Sequence, residues 1–449
     1  MPRIMPTSAQ VLAKFAAELA FSEIPPLVVE RAKDCIIDTV AAATFGAAFT
    51  WSRTVVDYAR RYGDGGPCSI LGVPGAHLQA PYAALANGAL AHAYELDSVG
   101  VGPHPGSTLW PAVLAACEDN HADGMTAIAA FVAGCELIFR LSRASHHSIE
   151  KLGFHAPGII GTYGAAAAAG RAYGLNAEQL THALGIAGSL SCGLLAFTRS
   201  NDGAMVKRLH LGRTGESGIL AARLAAAGYT GPENVLEGKF GFLETYCQNG
   251  DAKLLTANLK QDWETRRICI KRYACHIYAQ IPVQSLRELM AEHVFSGMDV
   301  AEILVEGGEK LLTHHNIVEP GDIMKAQYSV PFCVALALFR DPDDPRSFNA
   351  DALEDAAIRS ASRSVTLRAR SQEGRTAWGA GITVKLRDGR VVTRNSDSYK
   401  GMPDNPFSRV ELRRKFMVLA SGMGAAAAAT LFEKLDRLDI QPDCSLHAI

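Results

Sequence analysis

Apolar residues recur at helical spacing from the N-terminus to about residue 265, in runs separated by Gly, Pro or Asn-Gly. A buried or amphipathic helix repeats its apolar positions every three to four residues, so this pattern predicts helix almost throughout. Alanine and glycine dominate the runs, which favours many closely packed helices over a few long amphipathic ones. The clearest predicted helices span residues 25–48, 80–96, 108–117 and 125–141.

A different pattern begins after Trp263, where short alternating runs appear. Alternation of apolar and polar residues is typical of a half-buried strand. Two of the runs flank Asp388-Gly389, a dipeptide that strongly indicates a β-hairpin. The predicted strands span residues 301–306, 364–368, 381–387 and 390–394.

Helical spacing returns within this region at residues 283–293, and then from about residue 406 to 438. We therefore predict a mainly α fold with two parts. A large all-helical domain comprises residues 1–266 and is completed by residues 401–449, while residues 267–400 form a smaller α+β domain. Two or three domains agree with the usual domain size for a chain of 449 residues.

The composition is that of a soluble globular protein, with 48% hydrophobic and 20% charged residues. A formal net charge of −2 leaves no excess of Lys and Arg to neutralise a phosphate backbone, so we expect no nucleic-acid partner. No run approaches the roughly 20 uninterrupted apolar residues of a membrane span, the nearest being residues 161–170, and we expect no membrane partner. Ten scattered cysteines without a CxxC pair indicate reduced core thiols in a cytoplasmic protein.

Residues 87–111 hold the strongest candidate for the rim of an active site. An alanine-rich run predicts a buried helix, and the following VGVGPHPG cannot continue it because of its glycines and prolines. Four side chains that carry protons or bind anions lie here, and they are positioned by a rigid scaffold while still reaching a cavity. A polar loop after a core helix explains the segment equally well. The four residues are His92, Glu95, Asp97 and His104.

Two further candidate segments contain histidines beside a helix start or a domain junction. His155 lies between a glycine and a proline, just before an alanine-rich helix, and should therefore point from the entrance of that helix. Lys271 and His276 lie at the predicted junction of the two domains, where ligand clefts are common.

A basic segment forms the last candidate. Lys207, Arg208 and His210 follow the flexible Asp202-Gly203 and precede a glycine-rich helix. Basic side chains beside the backbone N–H groups of a helix N-terminus form a good anion receptor. Taken alone, however, a solvated basic turn explains this segment better.

Other common kinds of site have weak signals. The fourteen histidines show no HExxH and no Cys/His knuckle, so we predict no metal site, and surface turns explain the adjacent pairs His146-His147 and His314-His315. The absence of GxSxG argues against a common serine hydrolase, and the absence of phosphate-binding glycine motifs argues against nucleotide binding. Cys192 lies in an apolar stretch and is predicted to be a core thiol.

Seven short motifs occur in the order found in the MmgE/PrpD family, which the chain resembles over about residues 10–440. That family includes 2-methylcitrate dehydratase, cis-aconitate decarboxylase and an iminodisuccinate epimerase. The resemblance implies a helical domain, an α+β lid, a homodimer, and chemistry without a metal or an organic cofactor. The motifs are NGALAHAYELD, HPGSTLWPA, GFHAPGIIGTYGAA, DGAMVKRLHLG, TGPENVLEG, KRYACH and AQYSVP.

The resemblance also implies a cleft between the helical domain and the lid, lined by six residues that the candidate segments already contain. Two positions depart from the family pattern. Asp97-Ser98 stands where many members carry a pair of aspartates, and Gln280 stands where some relatives have a second histidine four residues after His276. The six cleft residues are Asp97, His104, His155, Lys207, Lys271 and His276.

The reactions of the family share one physical problem, which is to change a bond at a carbon next to a carboxylate. Cations that bind this carboxylate in the transition state supply most of the help. We predict that Lys207 and Lys271 do so, assisted by Arg208. His104 is the predicted general acid–base, since an imidazole titrates near neutral pH, and Asp97 orients it.

His155 and His276 are predicted to hold the remaining carboxylate or to protonate a leaving hydroxyl. The first functional hypothesis is a cofactor-independent lyase that binds a small di- or tricarboxylate and dehydrates a 2-methylcitrate-like hydroxy acid. The alternatives within enzymes are decarboxylation of a cis-aconitate-like acid and epimerisation of a dicarboxylate. A non-catalytic carboxylate-binding protein is the alternative from another class, and the complete set of His, Asp and Lys positions argues against it.

Overall fold

The structure is a computed structural model that describes residues 5–200, 204–371, 373 and 376–446. Within these residues, nineteen α-helices and six short strands form the mainly α fold that the sequence predicts. Asp202-Gly203, which the sequence analysis expects to be flexible, lies outside the described residues.

The N-terminal helices enclose a core made largely of alanine, leucine and isoleucine. Several begin with a proline, as α2 does at Pro26 and α5 at Pro105, because the missing N–H of proline would have no helical partner in the first turn. Their bounds are α1 Ser8–Glu18, α2 Pro26–Gly46, α3 Thr50–Gly63, α4 Ala80–Ala91, α5 Pro105–Asn120, α6 Gly124–Ala144, α7 Ala156–Ala172, α8 Ala177–Leu190, α9 Val206–Ala226, α10 Phe242–Tyr246 and α11 Lys253–Thr256.

Two details of this region differ from the prediction. Strands β1, Asp64–Ser69, and β2, His77–Leu78, form a small antiparallel pair, so the large domain is not all-helical. Helix α4 ends at Ala91, although apolar spacing predicts helix to residue 96. Residues 92–94 form a turn, and Glu95 then adopts a left-handed backbone with φ of 57°, a conformation that periodicity does not reveal.

Helices α4 and α9 pack unusually closely, and this contact positions the site. A Cβ added to Gly88 of α4 would lie 2.6 Å from the Cα of Gly212 in α9, and one added to Gly212 would lie 2.2 Å from the carbonyl oxygen of Leu85. Only glycine therefore permits this approach of the two backbones. The contact brings the end of α4 beside the first turn of α9, which carries Lys207.

One helix among the described residues, α6, is long and apolar enough to cross a membrane, although the sequence analysis found no such stretch. The bent pair α2 and α3 passes the same test only if it is counted as one span. In α6, 89% of the most apolar window is buried inside the protein, which is typical of the core helix of a globular domain.

The α+β part, here named the lid, follows the site residue His276. Its four-stranded sheet has the order β4-β3-β5-β6, in which β3 and β4 are parallel and the other neighbours antiparallel. All four predicted strands and the hairpin at Asp388-Gly389 are confirmed, with Gly389 at φ of 92°. The elements are α12 Ile277–His293, β3 Val300–Gly307, α13 Lys310–His315, α14 Ile323–Tyr328, α15 Val330–Phe339, α16 Ala350–Glu354, α17 Ala356–Arg363, β4 Val365–Ala369, β5 Ala380–Leu386 and β6 Val391–Ser396.

The last two helices, α18 Arg409–Leu419 and α19 Ala425–Asp436, pack against α2 near the N-terminus. The exact domain bounds stay a prediction.

All ten cysteines are free, but Cys192 is exposed, so its predicted core position is wrong. Cys192 is not buried because α8 ends at Leu190 and the loop that follows leaves the core.

Candidate active site

The turn between α4 and α5 places four ionisable side chains at one end of the helical core. His104 is the residue directly before α5. Earlier in the turn, the left-handed backbone of Glu95 is an unfavourable conformation for a residue with a Cβ, and it persists only when its surroundings hold it. Val99 and Cys269 exchange two backbone hydrogen bonds of 2.8 Å, which tie the turn to the segment that leads to Lys271.

Asp97 is the centre of a hydrogen-bonded group. Its Oδ2 accepts from Nδ1 of His92 at 2.9 Å, from Nδ1 of His104 at 2.8 Å and from the hydroxyl of Ser107 at 2.6 Å. Both imidazoles therefore carry a proton on Nδ1, which leaves Nε2 to act on other groups. Burial raises the pKa of Asp97, but His92 and His104 outweigh it and hold the pKa well below its usual range. Burial lowers the pKa of His92 to about 4.

The ligand atoms of His92, Asp97 and His104 lie within 4.8 Å of one another, close enough to surround a metal ion. The two rings, however, already donate to the same oxygen of Asp97, and the Lys271 ammonium lies 4.0 Å from its other oxygen. A metal cation would therefore be close to a fixed positive charge. We interpret the group as an acid–base cluster, and the absence of a metal site stays a prediction.

Two lysines from distant parts of the chain converge on Glu95. Lys207, in the first turn of α9, donates to Oε1 of Glu95 and forms an ion pair with it. Lys271 donates to Oε2 at 3.2 Å and to the main-chain carbonyl of Glu95 at 3.1 Å. Burial raises the pKa of Glu95, but the two ammonium groups outweigh it and hold the pKa well below its usual range. All three side chains are at most 5% exposed, so the basic segment is not a solvated turn.

His155, directly before α7, pairs with His210 of α9. Their Nδ1 atoms lie 3.0 Å apart, and both residues are buried. The main-chain N–H of His155 donates to the carbonyl of Gly193 at 3.0 Å. Burial, followed by the nearby Lys207 ammonium, lowers the pKa of both histidines, so both are neutral near pH 7.

The lid covers the site with neutral rings. His276, directly before α12, stacks on His315 of α13 with ring centroids 4.1 Å apart. His315 donates from Nδ1 to the carbonyl of Tyr328 at 3.0 Å, and the Tyr328 ring lies 4.9 Å from the Lys207 ammonium. Burial lowers the pKa of His276 well below its usual range and that of His315 to about 4.

The surface turn predicted for the pair His314-His315 is therefore wrong for His315. Helix α13 places Leu311 and His315, four residues apart, on its buried face, while His314 is exposed. The short helix carries too few turns for periodicity to indicate this. His146-His147 is exposed, as predicted.

Gln327 connects the lid to the turn that carries Glu95. Its side-chain amide nitrogen donates to the carbonyls of Tyr94 and Ala274 at 2.9 and 3.0 Å, and its main-chain carbonyl accepts from the N–H of His276 at 2.8 Å. The fully buried amide thus holds the lid rings in register with the lysine pair.

Arg208 contacts a different group from its neighbour Lys207. Its Nε donates to the carbonyl of Ala93 at 3.0 Å, and its guanidinium lies 5.5 Å from the centre of the Trp51 ring. Among the described residues, Nη2 of Arg208 is buried without a hydrogen-bond partner. This nitrogen is an unused hydrogen-bond donor, and the assisting role of Arg208 stays a prediction.

Comparison with known proteins identifies the family of this chain. The family model of the MmgE/PrpD N-terminal domain matches residues 10–255, and that of the MmgE/PrpD C-terminal domain matches residues 273–438. The chain belongs to the MmgE/PrpD family. The resemblance found in the sequence motifs is therefore confirmed.

The MmgE/PrpD relatives include cis-aconitate decarboxylases from a fungus and from mammals. The protein of Aspergillus terreus is 28% identical over 464 residues, which cover 96% of this chain and 94% of the relative. The protein of Homo sapiens is 26% identical over 434 residues, covering 93% and 89%, and that of Mus musculus is 25% identical over 441 residues, covering 93% and 88%. The prediction of an enzyme of the lyase class is confirmed.

The six residues expected from MmgE/PrpD membership form two sets in the structure. Four of them, Asp97, His104, Lys207 and Lys271, are joined by direct contacts, partly through Glu95. The other two, His155 and His276, each pair with a histidine that had no assigned role. The roles of all six stay predictions. Sequence reasoning named His92, Glu95 and His210 as candidates but missed their contacts, in particular Glu95 as the shared partner of both lysines. It placed His315 in a surface turn and gave Tyr328 no role.

The two departures from the MmgE/PrpD pattern have structural explanations. The hydroxyl of Ser98 accepts from the N–H of Gly106 at 3.1 Å and lies 3.0 Å from the Cys35 sulfur, so it braces the start of α5. Gln280 accepts from the N–H groups of Arg272 and Tyr273, both at 3.0 Å. It thereby fixes the loop between Lys271 and His276.

Proposed function

We propose that the protein is a cofactor-independent decarboxylase of cis-aconitate or of a closely similar unsaturated tricarboxylate. Relatives that match more than nine tenths of the chain are cis-aconitate decarboxylases, which favours this reaction over the 2-methylcitrate dehydration preferred in the sequence analysis. The observation that carries the proposal is the convergence of two buried ammonium groups beside the Asp97–His104 pair.

The reaction has a simple electron balance. The bond between an allylic CH₂ group and its carboxylate breaks, CO₂ leaves, and the electron pair spreads across the double bond to the carboxylate at its far end. The carbon next to that carboxylate then takes one proton, so a trianion and one proton give a dianion and CO₂. The enzyme must stabilise negative charge at one carboxylate and deliver a proton to the adjacent carbon.

Lys207 and Lys271 supply the charge stabilisation in this proposal. Ammonium groups that are already fixed in a buried site stabilise developing charge without rearrangement during the reaction. Glu95 holds both groups in place through its carboxylate, and Lys271 also through its main-chain carbonyl. The substrate carboxylate that gains charge then shares the two lysines with Glu95.

His104 supplies the proton. Its side chain is 15% exposed, whereas those of Asp97 and His92 are fully buried, so His104 is the member of this cluster that reaches accessible space. Asp97 holds its Nδ1–H, so a His104 ring that has taken up a second proton from solvent delivers that proton from Nε2. His155 and His276 bind the remaining carboxylates, and the free Nη2 of Arg208 adds a further positive charge nearby.

Proton NMR of cis-aconitate with the purified protein in D₂O tests the proposal. We expect the two vinylidene signals of itaconate, release of CO₂, and one deuteron in the methylene group that receives the proton. Formation of a hydroxy acid without loss of CO₂ would contradict decarboxylation and support a hydratase or dehydratase. Exchange of deuterium into an otherwise unchanged acid would support an isomerase.

His104→Ala separates catalysis from binding. Loss of the proton donor should lower kcat by about 10²- to 10⁴-fold, while the affinity for the non-reacting tricarballylate changes little. His182→Ala is the matched control, since His182 bonds to the Gly231 carbonyl outside the site. Near-normal turnover by the His104 variant would refute the assignment.

A further inference from the structure

The contact between His155 and His210 constrains where their protons lie. Two imidazole nitrogens 3.0 Å apart form a hydrogen bond only if one carries a proton and the other does not. Because both contacting atoms are Nδ1, a neutral pair must consist of one ring protonated on Nδ1 and one ring protonated on Nε2. Each ring thus dictates the tautomer of the other.

The surroundings keep the pair together. The Phe197 ring approaches His155 and His210 edge-on, with centroid distances of 5.4 and 5.9 Å. Gly193 lies against both residues, since a Cβ there would be in van der Waals contact, 3.4 Å from Nδ1 of His210 and 3.5 Å from Cβ of His155. His210 also lies three residues after Lys207, so α9 positions it and the lysine from the same turn.

Other charged groups act on His155 but do not fix its tautomer. The groups that face it are Lys207 on α9 and the imidazoles of His92 and His104 on the turn between α4 and α5. In the described residues, the one hydrogen bond recorded for its ring is that to His210. The remaining nitrogen, Nε2, is therefore the atom through which His155 can reach a substrate.

We infer that His210 is a positioning residue that donates its Nδ1 proton to Nδ1 of His155, so that His155 presents a protonated, uncharged Nε2–H to a substrate carboxylate. The inference rests on the proposed function, in which His155 binds a carboxylate. An imidazole with a lone pair on Nε2 would repel that group. His210 itself touches no substrate.

¹⁵N NMR of histidine-labelled wild-type protein reads the tautomers directly, because protonated and unprotonated ring nitrogens have well-separated shifts. We expect Nε2 of His155 and Nδ1 of His210 to be protonated. Spectra of His210→Asn, with His182→Asn as the matched control, assign the signals. The reverse pair of tautomers, or the same tautomer in both rings, would overturn the inference.

Two substitutions of His210 separate hydrogen-bond donation from packing. Asn places an amide donor near the position of Nδ1, so His210→Asn should bind tricarballylate within about threefold of wild type. Asp can only accept, so His210→Asp should draw the His155 proton to Nδ1 and weaken binding about 10- to 100-fold near neutral pH. Binding should recover as pH falls, because His155 then carries both protons.

Equal impairment of the two variants, without a difference in pH dependence, would show a merely structural role and overturn the inference. If His210→Asp does not fold, the inference is tested by the tautomers of the wild-type protein and by the affinity of His210→Asn for tricarballylate. The readouts also separate the two proposals. Predicted tautomers without decarboxylation would overturn only the proposed function, whereas decarboxylation with the wrong tautomers would overturn only this inference.

Discussion

The two sides of the site hold their ionisable groups in opposite ways. On the helical side, Lys207 and Lys271 are paired with Glu95 in direct ionic contacts and lie next to Asp97. On the lid side, the half-buried His276 and the buried His315 are neutral and stacked beside Tyr328. Charge is thus concentrated in the part built from closely packed helices.

This difference follows from the energetics of buried charge. Charged groups remain charged in a protein interior only when partners compensate them, and such partners need a rigid scaffold. The close contact of Gly88 and Gly212 provides one for the helical side. A cover made of neutral rings excludes water without adding charges that need partners. We therefore expect charge substitutions on the helical side to affect the protein more than changes to the lid rings.

Lys207→Met should have the largest effect. It removes one of the two ammonium groups but leaves Glu95 paired with Lys271, so the fold should persist while kcat/KM falls by about 10²- to 10³-fold. Steady-state kinetics measure this, with the exposed Lys253→Met as the control. A loss below tenfold would place the required charge elsewhere, with the buried Arg208 as the next candidate.

Glu95→Gln tests the compensation of charge. The variant leaves two buried ammonium groups beside an uncharged amide, which should lower the free energy of unfolding by about 3–5 kcal/mol. Tricarballylate should raise Tm more in this variant than in wild type, because it restores the missing negative charge. Glu150→Gln, which breaks an exposed pair with Lys310, should lower the stability by at most about 1 kcal/mol. Equal losses in the two variants would contradict the argument.

The buried histidines predict a pH dependence of stability. The pKa values of His92 and His315 are lowered to about 4, so between about pH 6.5 and 4 the unfolded chain binds more protons than the folded one. The free energy of unfolding should therefore fall as the pH falls through this window, by about 2 kcal/mol per histidine at pH 5. Urea unfolding at pH 7.5, 6 and 5 measures it, and a flat profile would show that these histidines are not held neutral.

His315→Phe should have the smallest effect. Phenylalanine keeps the stack on His276 and loses the bond to the Tyr328 carbonyl, so the free energy of unfolding should fall by about 1 kcal/mol and kcat/KM by tenfold or less. The free energy of unfolding of the variant should also depend less on pH, because the contribution of His315 is removed. His314→Phe at the exposed neighbour is the control. A loss of activity as large as that of Lys207→Met would remove the distinction between the two sides.

Local signals explain what could be predicted from the sequence. The hairpin at Asp388-Gly389 and the break before His104 depend on residues whose backbone preferences act within a few positions. The six predicted site residues came from such breaks and from the family motifs. The bond between the turn and Lys271, by contrast, joins segments that lie more than 150 residues apart.

The remaining features depend on tertiary contacts that no local pattern records. Glu95 occupies a left-handed backbone within a run of good helix formers, and two distant lysines compensate for its burial. His315 is buried because α13 packs against β4 and α15, and Cys192 is exposed although its neighbours are apolar. In each case the tertiary environment, and not the local sequence pattern, determines the backbone conformation or the burial of the residue.

The bridge between Val99 and Cys269 has a consequence for movement. Lys271 follows this bridge by two residues, and its carbonyl accepts from Lys415 of α18 at 2.6 Å, so it belongs mechanically to the helical body. The loop before His276 is bonded to Gln280 of α12 and belongs to the lid, so a hinge has to lie directly after Lys271. Opening at that hinge would carry away the neutral rings and leave both lysines on Glu95, so that product could be exchanged for substrate without separating a buried ion pair.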